Sequence, residues 1–271
     1  MGFNFFLNKF FTIIEFYRYK RRLNIYKTIY INLRSLPFSI AVKFPIYIYG
    51  RCKIISLKGQ IEIDGLIQKG MIKIGVSDPL RSLKSVSTIQ NEGTIKFGTN
   101  VVLCKGINLG CRTNAVISIG KFSYIADNVT ILSHLEITIG KYALVGNNTV
   151  FMDTDFHYLI KLETQEVKNN KKVILIGDYN WIAGWVTIKK GAVTPNYTTI
   201  AGPYSMISKD YTKILEPYSV IGGSPAKLIA TGLQSIHNIK SDKLLNEHYN
   251  ASLETFVQNN LDIDAFCLPK E

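Results

Sequence analysis

Residues 107–140 read INLGCRTNAVISIGKFSYIADNVTILSHLEITIG, and this stretch decides the fold. The phrase Ile-x-Ile-Gly, or its variant with leucine at the third position, stands at the start, in the middle and at the end of the stretch. A phrase that returns along a chain indicates a repeat architecture, in which each unit buries its apolar face against its neighbours. Related phrases occur at 72–75, 95–98 and 174–177.

Aliphatic residues also recur at a step of six, as at Ile119, Ile125 and Ile131. A helix requires spacings of three and four, and a two-sided strand requires alternation. A step of six instead predicts very short strands that each turn a corner, so that three strands form a coil of about 18 residues. We therefore predict an all-β solenoid, a parallel β-helix, in which the residues at the six-residue step form one continuous column in the core. The same count also places Thr113 and Met206 in this column. The side chains predicted to point into the core are Ile119, Ile125, Ile131, Val145, Ile176, Ile182, Ile188 and Ile200.

The bulk composition agrees with one elongated domain. The chain has 271 residues and 46% hydrophobic residues, and a solenoid grows by stacking rather than by enlarging one core. Its four cysteines show no paired spacing, which favours small apolar filler in a reducing compartment over a disulfide framework or a zinc site. Residues 3–14 are apolar but interrupted by polar side chains, so we expect neither a secretory signal nor a membrane-spanning helix.

The positive charge is concentrated at the N-terminus. The formal net charge is +12, and residues 1–60 hold eleven lysines and arginines against the single acid Glu15. Two interpretations stay open: a basic helix over residues 1–35 that lies on an anionic membrane, or a helix packed on the end of the solenoid with its basic side in water. Nucleic acid is disfavoured because no nucleic-acid recognition motif accompanies the charge. The apolar residues at helical spacing are Phe3, Phe6, Phe10, Ile13 and Tyr17.

The pattern divides the chain into three regions. Residues 1–59 form a basic, aromatic region that is helical up to the break at Leu36-Pro37 and then extended. Residues 60–231 contain the repeats. Residues 232–271 are predicted to form a C-terminal helical cap, with a helix over 241–260 that begins at Ser241 or Asp242 and seals the open end of the solenoid. The residues expected on one side of that helix are Leu245, Tyr249, Leu253, Phe256 and Val257.

Two interruptions break the repeat. Residues 76–93 replace part of a coil. The second interruption is sharper, because Gly140 follows Gly120 by 20 residues whereas Gly177 follows Gly140 by 37. Subtracting the repeat places an inserted loop at 153–172. Loops that leave a rigid scaffold often carry function.

Three motifs resemble those of the hexapeptide-repeat acyltransferases. They are FMDTDFH at 151–157, IGDYNWIAGWVTIKKGAV at 176–193 and SKDYTKILEPYSVIGGSPAKLI at 208–229. The family fold is a left-handed parallel β-helix, and its members act as homotrimers. The loop phrase, together with the basic N-terminal region, is similar to that of sugar O-acetyltransferases of bacterial capsule and lipopolysaccharide assembly.

This resemblance implies an enzyme that uses acetyl-coenzyme A and no metal. It would transfer the acetyl group directly to a sugar hydroxyl in bacterial surface polysaccharide biosynthesis. The implied location is cytoplasmic, with peripheral contact on the inner face of the plasma membrane through residues 1–35. The identity of the acceptor stays open.

The resemblance also implies a catalytic base. His157 occupies the family's position for a histidine that removes the proton of the acceptor hydroxyl, a task suited to imidazole near neutral pH. Of the other histidines, His134 lies within a coil and is the next candidate. Asp153 or Asp155 is expected to accept the other ring N–H of His157, and the choice between them stays open.

The resemblance also implies which residues bind the acetyl donor, by their positions in the three motifs. The family lays the pantetheine arm in the groove between adjacent subunits, which requires small residues along it. Trp181 matches the tryptophan beside the donor, and a backbone N–H near Gly184 is expected to face the thioester oxygen. The residues carried over are Trp181, Gly184, Ala201 and Gly202 for the groove, and Ser208, Lys209 and Lys227 for the nucleotide end.

Three alternatives remain. The first is N-acyl transfer to an amino-sugar nucleotide, a drug or another small amine on the same scaffold. The second is a γ-type carbonic anhydrase, which is disfavoured because three histidines must bind its zinc and residues 95–206 contain only His134 and His157. The third is a non-catalytic scaffold module.

Overall fold

The computed structural model describes residues 23–76, 85–257 and 261–268. Very short strands pass in turn through three sheets, so that the chain returns to the first sheet after each coil. Successive coils pair in parallel, as β-helix formation requires. The parallel-stranded solenoid predicted from the sequence is therefore present.

The strands are grouped here by sheet. The first sheet contains β1 (Ile46–Ile48), β4 (Ile72–Val76), β7 (Val101–Cys104), β10 (Tyr124–Ile125), β13 (Leu144–Val145), β18 (Trp181–Ile182), β20 (Thr199–Ala201), β22 (Val220–Gly222) and β23 (Lys227–Ala230). The second contains β2 (Cys52–Leu57), β5 (Ser87–Asn91), β8 (Asn108–Cys111), β11 (Thr130–Ser133), β14 (Val150–Met152), β19 (Thr187–Lys189) and β21 (Met206–Ile207). The third contains β3 (Gln60–Ile63), β6 (Thr94–Phe97), β9 (Val116–Ile119), β12 (Glu136–Ile139) and β17 (Ile174–Ile176).

Two further strands and four helices complete the described chain. The strands β15 (Ile160–Lys161) and β16 (Glu166–Val167) form a separate antiparallel pair. The helices are α1 (Ile25–Ser35), α2 (Phe38–Ala41), α3 (Ile239–Ala251) and α4 (Ile263–Cys267).

The core is a stack of mainly aliphatic side chains, and several strands contribute two of them, as β9 does with Ile117 and Ile119. All eight residues predicted to point inward are buried. The pairing explains the stack, because Val145 pairs with Ile125 below it and with Ile182 above it, and Ile182 pairs with Ile200. The interior side chains of adjacent coils therefore touch along the whole axis, which is how a solenoid buries its apolar surface.

The six-residue count fails at two positions. Thr113 is exposed at a corner, and Met206 faces outward while Ile207 is fully buried. Ile207 pairs with Ile188 as Ile200 pairs with Ile182, so the corner after Ile200 is one residue longer than the corner one coil earlier. The extra residue shifts the inward position by one.

Aromatic residues stack at the corner between the third and first sheets, a feature that the sequence pattern did not reveal. Each has a left-handed backbone, with φ between 54° and 66°, although side chains other than glycine disfavour that region. Their ring centroids are 4.8–5.0 Å apart along the axis, and this stacking offsets the backbone cost. The stacked residues are Phe122, Tyr142, Tyr179, Tyr197 and Tyr218.

The N-terminal part departs from a continuous helix over 1–35. Helix α1 begins only after Asn24, whose side chain accepts a hydrogen bond from the Lys27 N–H and caps the helix. The amphipathic stretch 3–17 lies outside the described residues. Parallel pairing begins at β1, before the boundary expected at residue 60. The repeated phrase did not identify β1, because the glycine that follows β1 stands one position later than in Ile-x-Ile-Gly. The interruption over 76–93 is also shorter than expected, since β5 lies within it and pairs in parallel with β8, and with β2 across one register shift.

At the C-terminal end, β23 pairs antiparallel with β22 and covers its edge. Helix α3 begins at Ile239, after the side chain of Asn238 that caps it, rather than at Ser241, and it ends at Ala251. Leu253 and Val257, expected on its apolar side, are exposed outside the helix. The sealing role of this helix therefore stays a prediction. No helix in the described ranges is long and apolar enough to cross a membrane.

Candidate functional site

The inserted segment 153–172 forms a β-hairpin that leaves the solenoid between β14 of the second sheet and β17 of the third. At its base, the Asp155 N–H donates to the Asn170 carbonyl over 2.9 Å, and the Lys172 N–H donates to the Asp153 carbonyl over 3.0 Å. Strands β15 and β16 continue the hairpin outward. The loop located by counting repeats is thus an ordered arm with its own backbone ladder.

Asp153 anchors the first strand of the hairpin to the preceding coil. Its carboxylate is fully buried and accepts three hydrogen bonds, each of 2.8 Å, from the Ser133 hydroxyl and the N–H groups of His134 and Leu135. Such charge-assisted bonds are stronger than neutral ones. The Asp153 side chain is therefore committed to the turn at residues 133–135.

Asp155 anchors the hairpin to the following coil. Its carboxylate lies 2.7 Å from the Lys190 ammonium and 3.5 Å from that of Lys189. The hydrogen bond from Lys190 is the main cause that lowers the pKa of Asp155 below its ordinary value, and the charges of both lysines act in the same direction. Asp155 is therefore ionised at neutral pH and bridges the hairpin to the end of β19.

His157 follows these two anchors and is exposed. Its backbone N–H donates to the Asp155 carbonyl over 2.7 Å, which forms a tight turn. Among the described residues, no hydrogen bond joins the His157 ring to Asp153 or Asp155. The ring lines a cavity of about 380 Å³. Other residues around this cavity are Leu159, Lys161, Glu166, Lys168, Asn169 and Lys190.

His134 lies under the base of the hairpin. Its ring contacts the Phe156 ring edge to face, with centroids 5.2 Å apart. Desolvation lowers the pKa of His134, and the positive charges of Arg112 and Lys171 lower it further, against the opposing effect of Asp153. His134 is therefore neutral at pH 7 and provides an aromatic contact that holds the residue before His157.

The donor-side candidates nearest to the repeat core lie in the first sheet. Trp181 faces outward, is 47% exposed and pairs with Leu144 and Thr199. Gly184 follows at the corner, where an added Cβ would lie 2.9–3.0 Å from Asn147 atoms, so close packing requires glycine there. The Ala183 N–H already donates to the Ile200 carbonyl, which leaves the Gly184 N–H as the candidate donor to a thioester oxygen.

The remaining donor-side candidates lie in the last coils. Ala201 pairs with Gly222, and Gly222 pairs with Lys227, which places the exposed Lys227 two strands from Ala201. Gly202 has φ of +72° and open space around its Cβ position, so its backbone conformation rather than crowding favours glycine.

The two other nucleotide-end candidates lie beyond β21. The Lys209 ammonium lies 5.2 Å from the centroid of the Tyr211 ring, and the Tyr211 hydroxyl donates to the carbonyl of Ala226, the residue before Lys227. Ser208 is exposed beside Lys209. The Lys209 side chain and the backbone just before Lys227 therefore both contact Tyr211.

Within one chain, the two halves of the candidate site lie at different corners. The hairpin with His157 leaves between the second and third sheets, whereas Gly184 and Gly202 lie between the first and second sheets. The imidazole of His157, a group that can accept a proton from a hydroxyl, thus lies at one corner, and the small residues Gly184 and Gly202 lie at another.

Sequence reasoning missed the residues that hold the hairpin. Ser133 supports Asp153, and Lys189 and Lys190 bind Asp155. The one available signal was the pair of consecutive lysines in the coil that follows the insertion. In the part of the chain that the structure describes, no group of three or more His, Cys, Asp or Glu side chains is arranged to hold a metal ion.

Comparison with known proteins finds a curated acetyltransferase whose sequence is similar to this chain. The chain is 26% identical over 146 residues to a polysialic acid O-acetyltransferase of Neisseria meningitidis, a match covering 54% of this chain and 55% of the relative. The chain thus matches about half the length of that protein. No protein-family model matches the sequence. The resemblance to hexapeptide-repeat acyltransferases drawn from the motifs is confirmed.

Two solved structures of acetyltransferases are also similar to this chain. The polysialic acid-specific acetyltransferase NeuO is 19% identical, with a TM-score of 0.44 and coverage of 78% of this chain and 91% of that one. A hexapeptide-repeat acetyltransferase of Vibrio cholerae O1 biovar eltor, complexed with acetyl-coenzyme A, is 27% identical, with a TM-score of 0.38 and coverage of 46% and 64%. Both TM-scores are below 0.5, so the fold described above rests on the strand pairing of this chain.

Proposed function

We propose that this protein transfers the acetyl group of acetyl-coenzyme A to a sugar hydroxyl of a bacterial surface polysaccharide, with His157 as the general base. The observation that carries the proposal is the position of His157. It lies on the arm that interrupts the repeat, it is exposed beside a cavity, and two carboxylates on either side of Thr154 attach that arm to the coils below and above.

The chemistry requires only a base and a donor to the oxyanion. The His157 ring takes the proton of the acceptor hydroxyl while the oxygen attacks the thioester carbonyl. The tetrahedral intermediate, with its negative oxygen facing the Gly184 N–H, collapses with cleavage of the carbon–sulfur bond. The thiolate of coenzyme A leaves and receives the proton from the imidazolium.

The acceptor class is supported by the named activity of the curated relative, which acts on polysialic acid. The exposed position of His157 also suits a polymer, because a long glycan chain needs a base that it can reach without entering a closed pocket. Three lysines line the cavity, Lys161, Lys168 and Lys190, against the two carboxylates of Asp155 and Glu166, which leaves one excess positive charge on the approach to the base.

The assembly that we propose is a homotrimer of left-handed β-helices in the cytoplasm, where the thioester donor is made. The separation of the two half-sites within one chain supports it, since His157 and Gly184 lie at different corners. The hairpin of one subunit would then meet the Trp181 and Gly184 corner of its neighbour. The exposed cations Lys209 and Lys227 would bind the phosphates of the nucleotide.

The test compares two histidine variants of the full-length protein. Polysialic acid and other bacterial polysaccharides serve as acceptors, and release of the coenzyme A thiol is followed with a thiol reagent. The variant His157→Ala should lower kcat by about 10²- to 10⁴-fold and leave the KM for acetyl-coenzyme A unchanged. The matched control His248→Ala should act as wild type, since among the described residues its ring contacts Tyr249, Glu254 and Phe256 of the C-terminal segment.

Two results would contradict the proposal. Near wild-type turnover by His157→Ala would remove the hairpin from the chemistry and make His134 the next candidate. Transfer to an amino-sugar nucleotide with no transfer to any polysaccharide would favour N-acylation, and treatment with mild alkali separates labile O-acetyl esters from stable N-acetyl amides.

A further inference from the structure

Helix α1 turns its polar side towards the solenoid. The Asn32 amide donates to the Ile46 carbonyl over 2.7 Å, and its oxygen accepts from the Ile46 N–H over 3.2 Å. The Thr28 hydroxyl oxygen accepts from the Ile48 N–H over 3.0 Å. Strand β1 is the edge of the first sheet, so these side chains satisfy backbone groups that would otherwise lack a partner strand.

The opposite side of α1 is apolar and lies in water. A surface helix ordinarily buries its apolar face and exposes its polar one. Here the buried side holds three polar residues and the single aliphatic residue Ile31, so most of the apolar side chains lie on the exposed side. The three hydrogen bonds to β1 prevent the helix from rotating to bury that side. The apolar residues on it are 41–76% exposed, namely Ile25, Tyr26, Ile29, Tyr30 and Leu33, and we call them the outer face of α1.

The stretch of sequence that contains this face carries only positive charge. Residues 23–60 contain six lysines and arginines and no aspartate or glutamate. Arg34 lies directly beside Tyr30 and Leu33 at the rim of the face. A partner for this surface should therefore combine an apolar layer with negative charge.

We infer that the outer face of α1 binds the surface of an anionic membrane. A helix with a wide apolar side, tyrosines and flanking cations lies in the boundary between headgroups and acyl chains, and acidic lipids attract the cations. At 11 residues the helix is about 16 Å long, a length that suits lying in the interface. Pairing the same face of two copies is disfavoured, since it would bring the two sets of cations together.

Docking through α1 would orient the solenoid. Helix α1 covers β1 at the end of the first sheet, and β13, in the coil that bears the hairpin, lies four strands further along that sheet. At about 4.8 Å per strand, the hairpin coil is about 19 Å from the docked end. A glycan held at that distance from the membrane would lie level with the hairpin, although the lipid contact itself does not depend on the proposed reaction.

The test is vesicle flotation of the full-length protein. Wild type should float with phosphatidylcholine vesicles that contain phosphatidylglycerol, and not with pure phosphatidylcholine, and high salt should release it. The variant Leu33→Glu should bind about tenfold more weakly, through loss of apolar burial and added negative charge. The matched control Leu253→Glu, at a 96% exposed leucine elsewhere, should bind as wild type.

Several outcomes would overturn the inference. One is equal binding of wild type and Leu33→Glu to acidic vesicles, which would assign the lipid contact to another segment, such as residues 1–22. Equal binding to neutral vesicles, or no binding at all, would also do so. A lower particle mass of Leu33→Glu in light scattering, without vesicle binding by wild type, would make the face an interface between copies. A thermal melt confirms that each variant is folded.

Discussion

Replacing Asp153 by asparagine tests whether this carboxylate anchors the hairpin or orients the base. In the structure its two oxygens accept from Ser133, His134 and Leu135, and none of these bonds involves His157. The anchoring role predicts a loss of stability. The orienting role, which the sequence motif had suggested, predicts a change in catalysis with little loss of stability.

The size of the stability loss follows from the hydrogen-bond pattern. One oxygen of Asp153 accepts from both Ser133 and Leu135, and the other accepts from the His134 N–H. An asparagine oxygen can replace the first, but its NH₂ group then faces the His134 N–H, so that two donors meet. Loss of one charge-assisted bond and an unsatisfied N–H should lower the free energy of unfolding by about 2–4 kcal/mol.

The assay is urea unfolding followed by circular dichroism, together with the pH profile of kcat. The matched control is Asp155→Asn, which removes an exposed ion pair and should cost less than about 1 kcal/mol. Wild-type stability of Asp153→Asn, combined with a shifted pH profile of kcat, would refute the anchoring role and return Asp153 to the His157 ring.

Three further predictions concern the donor end and the core. Lys227→Ala should raise the KM for acetyl-coenzyme A by at least about tenfold through a lost phosphate contact, whereas the exposed control Lys213→Ala should not, as initial rates will show. Burial raises the pKa of Cys111 from 9.0 to about 11, so its contribution to stability should be complete below pH 9 and lost as the pH rises towards 11, which unfolding titrations and thiol reactivity can measure. Ile131→Ala, at a fully buried site, should cost about 2–5 kcal/mol of unfolding free energy, and the partly exposed control Leu135→Ala should cost much less.

The core of the fold could be predicted because its pattern is local and repeated. Each coil places aliphatic residues inward at the same phase of the repeat, so a step of six marks Ile125, Ile131 and Ile182 without knowledge of their neighbours. The count failed where a corner gained a residue, as before Ile207, because the number of residues in a corner depends on the backbone conformation there.

The candidate site was predictable only in part. The surplus of residues between Gly140 and Gly177 located the hairpin, and its motif singled out His157. The partners of Asp153 and Asp155 were not predictable, because Ser133 lies one coil below and Lys190 lies in the coil above. Contacts between coils depend on register, which a single motif does not contain.

The amino-acid sequence by itself determined the solenoid, the place of the inserted arm and the excess of positive charge at the N-terminus, since each is a matter of spacing or composition along the chain. Only the tertiary structure decided which side of α1 faces water. The helix contains both polar and apolar sides, and an isolated amphipathic pattern predicts that the apolar side is buried. The exposed edge of β1 reverses that outcome, because its unpaired backbone groups take the hydrogen bonds of Thr28 and Asn32 and leave the apolar side outward.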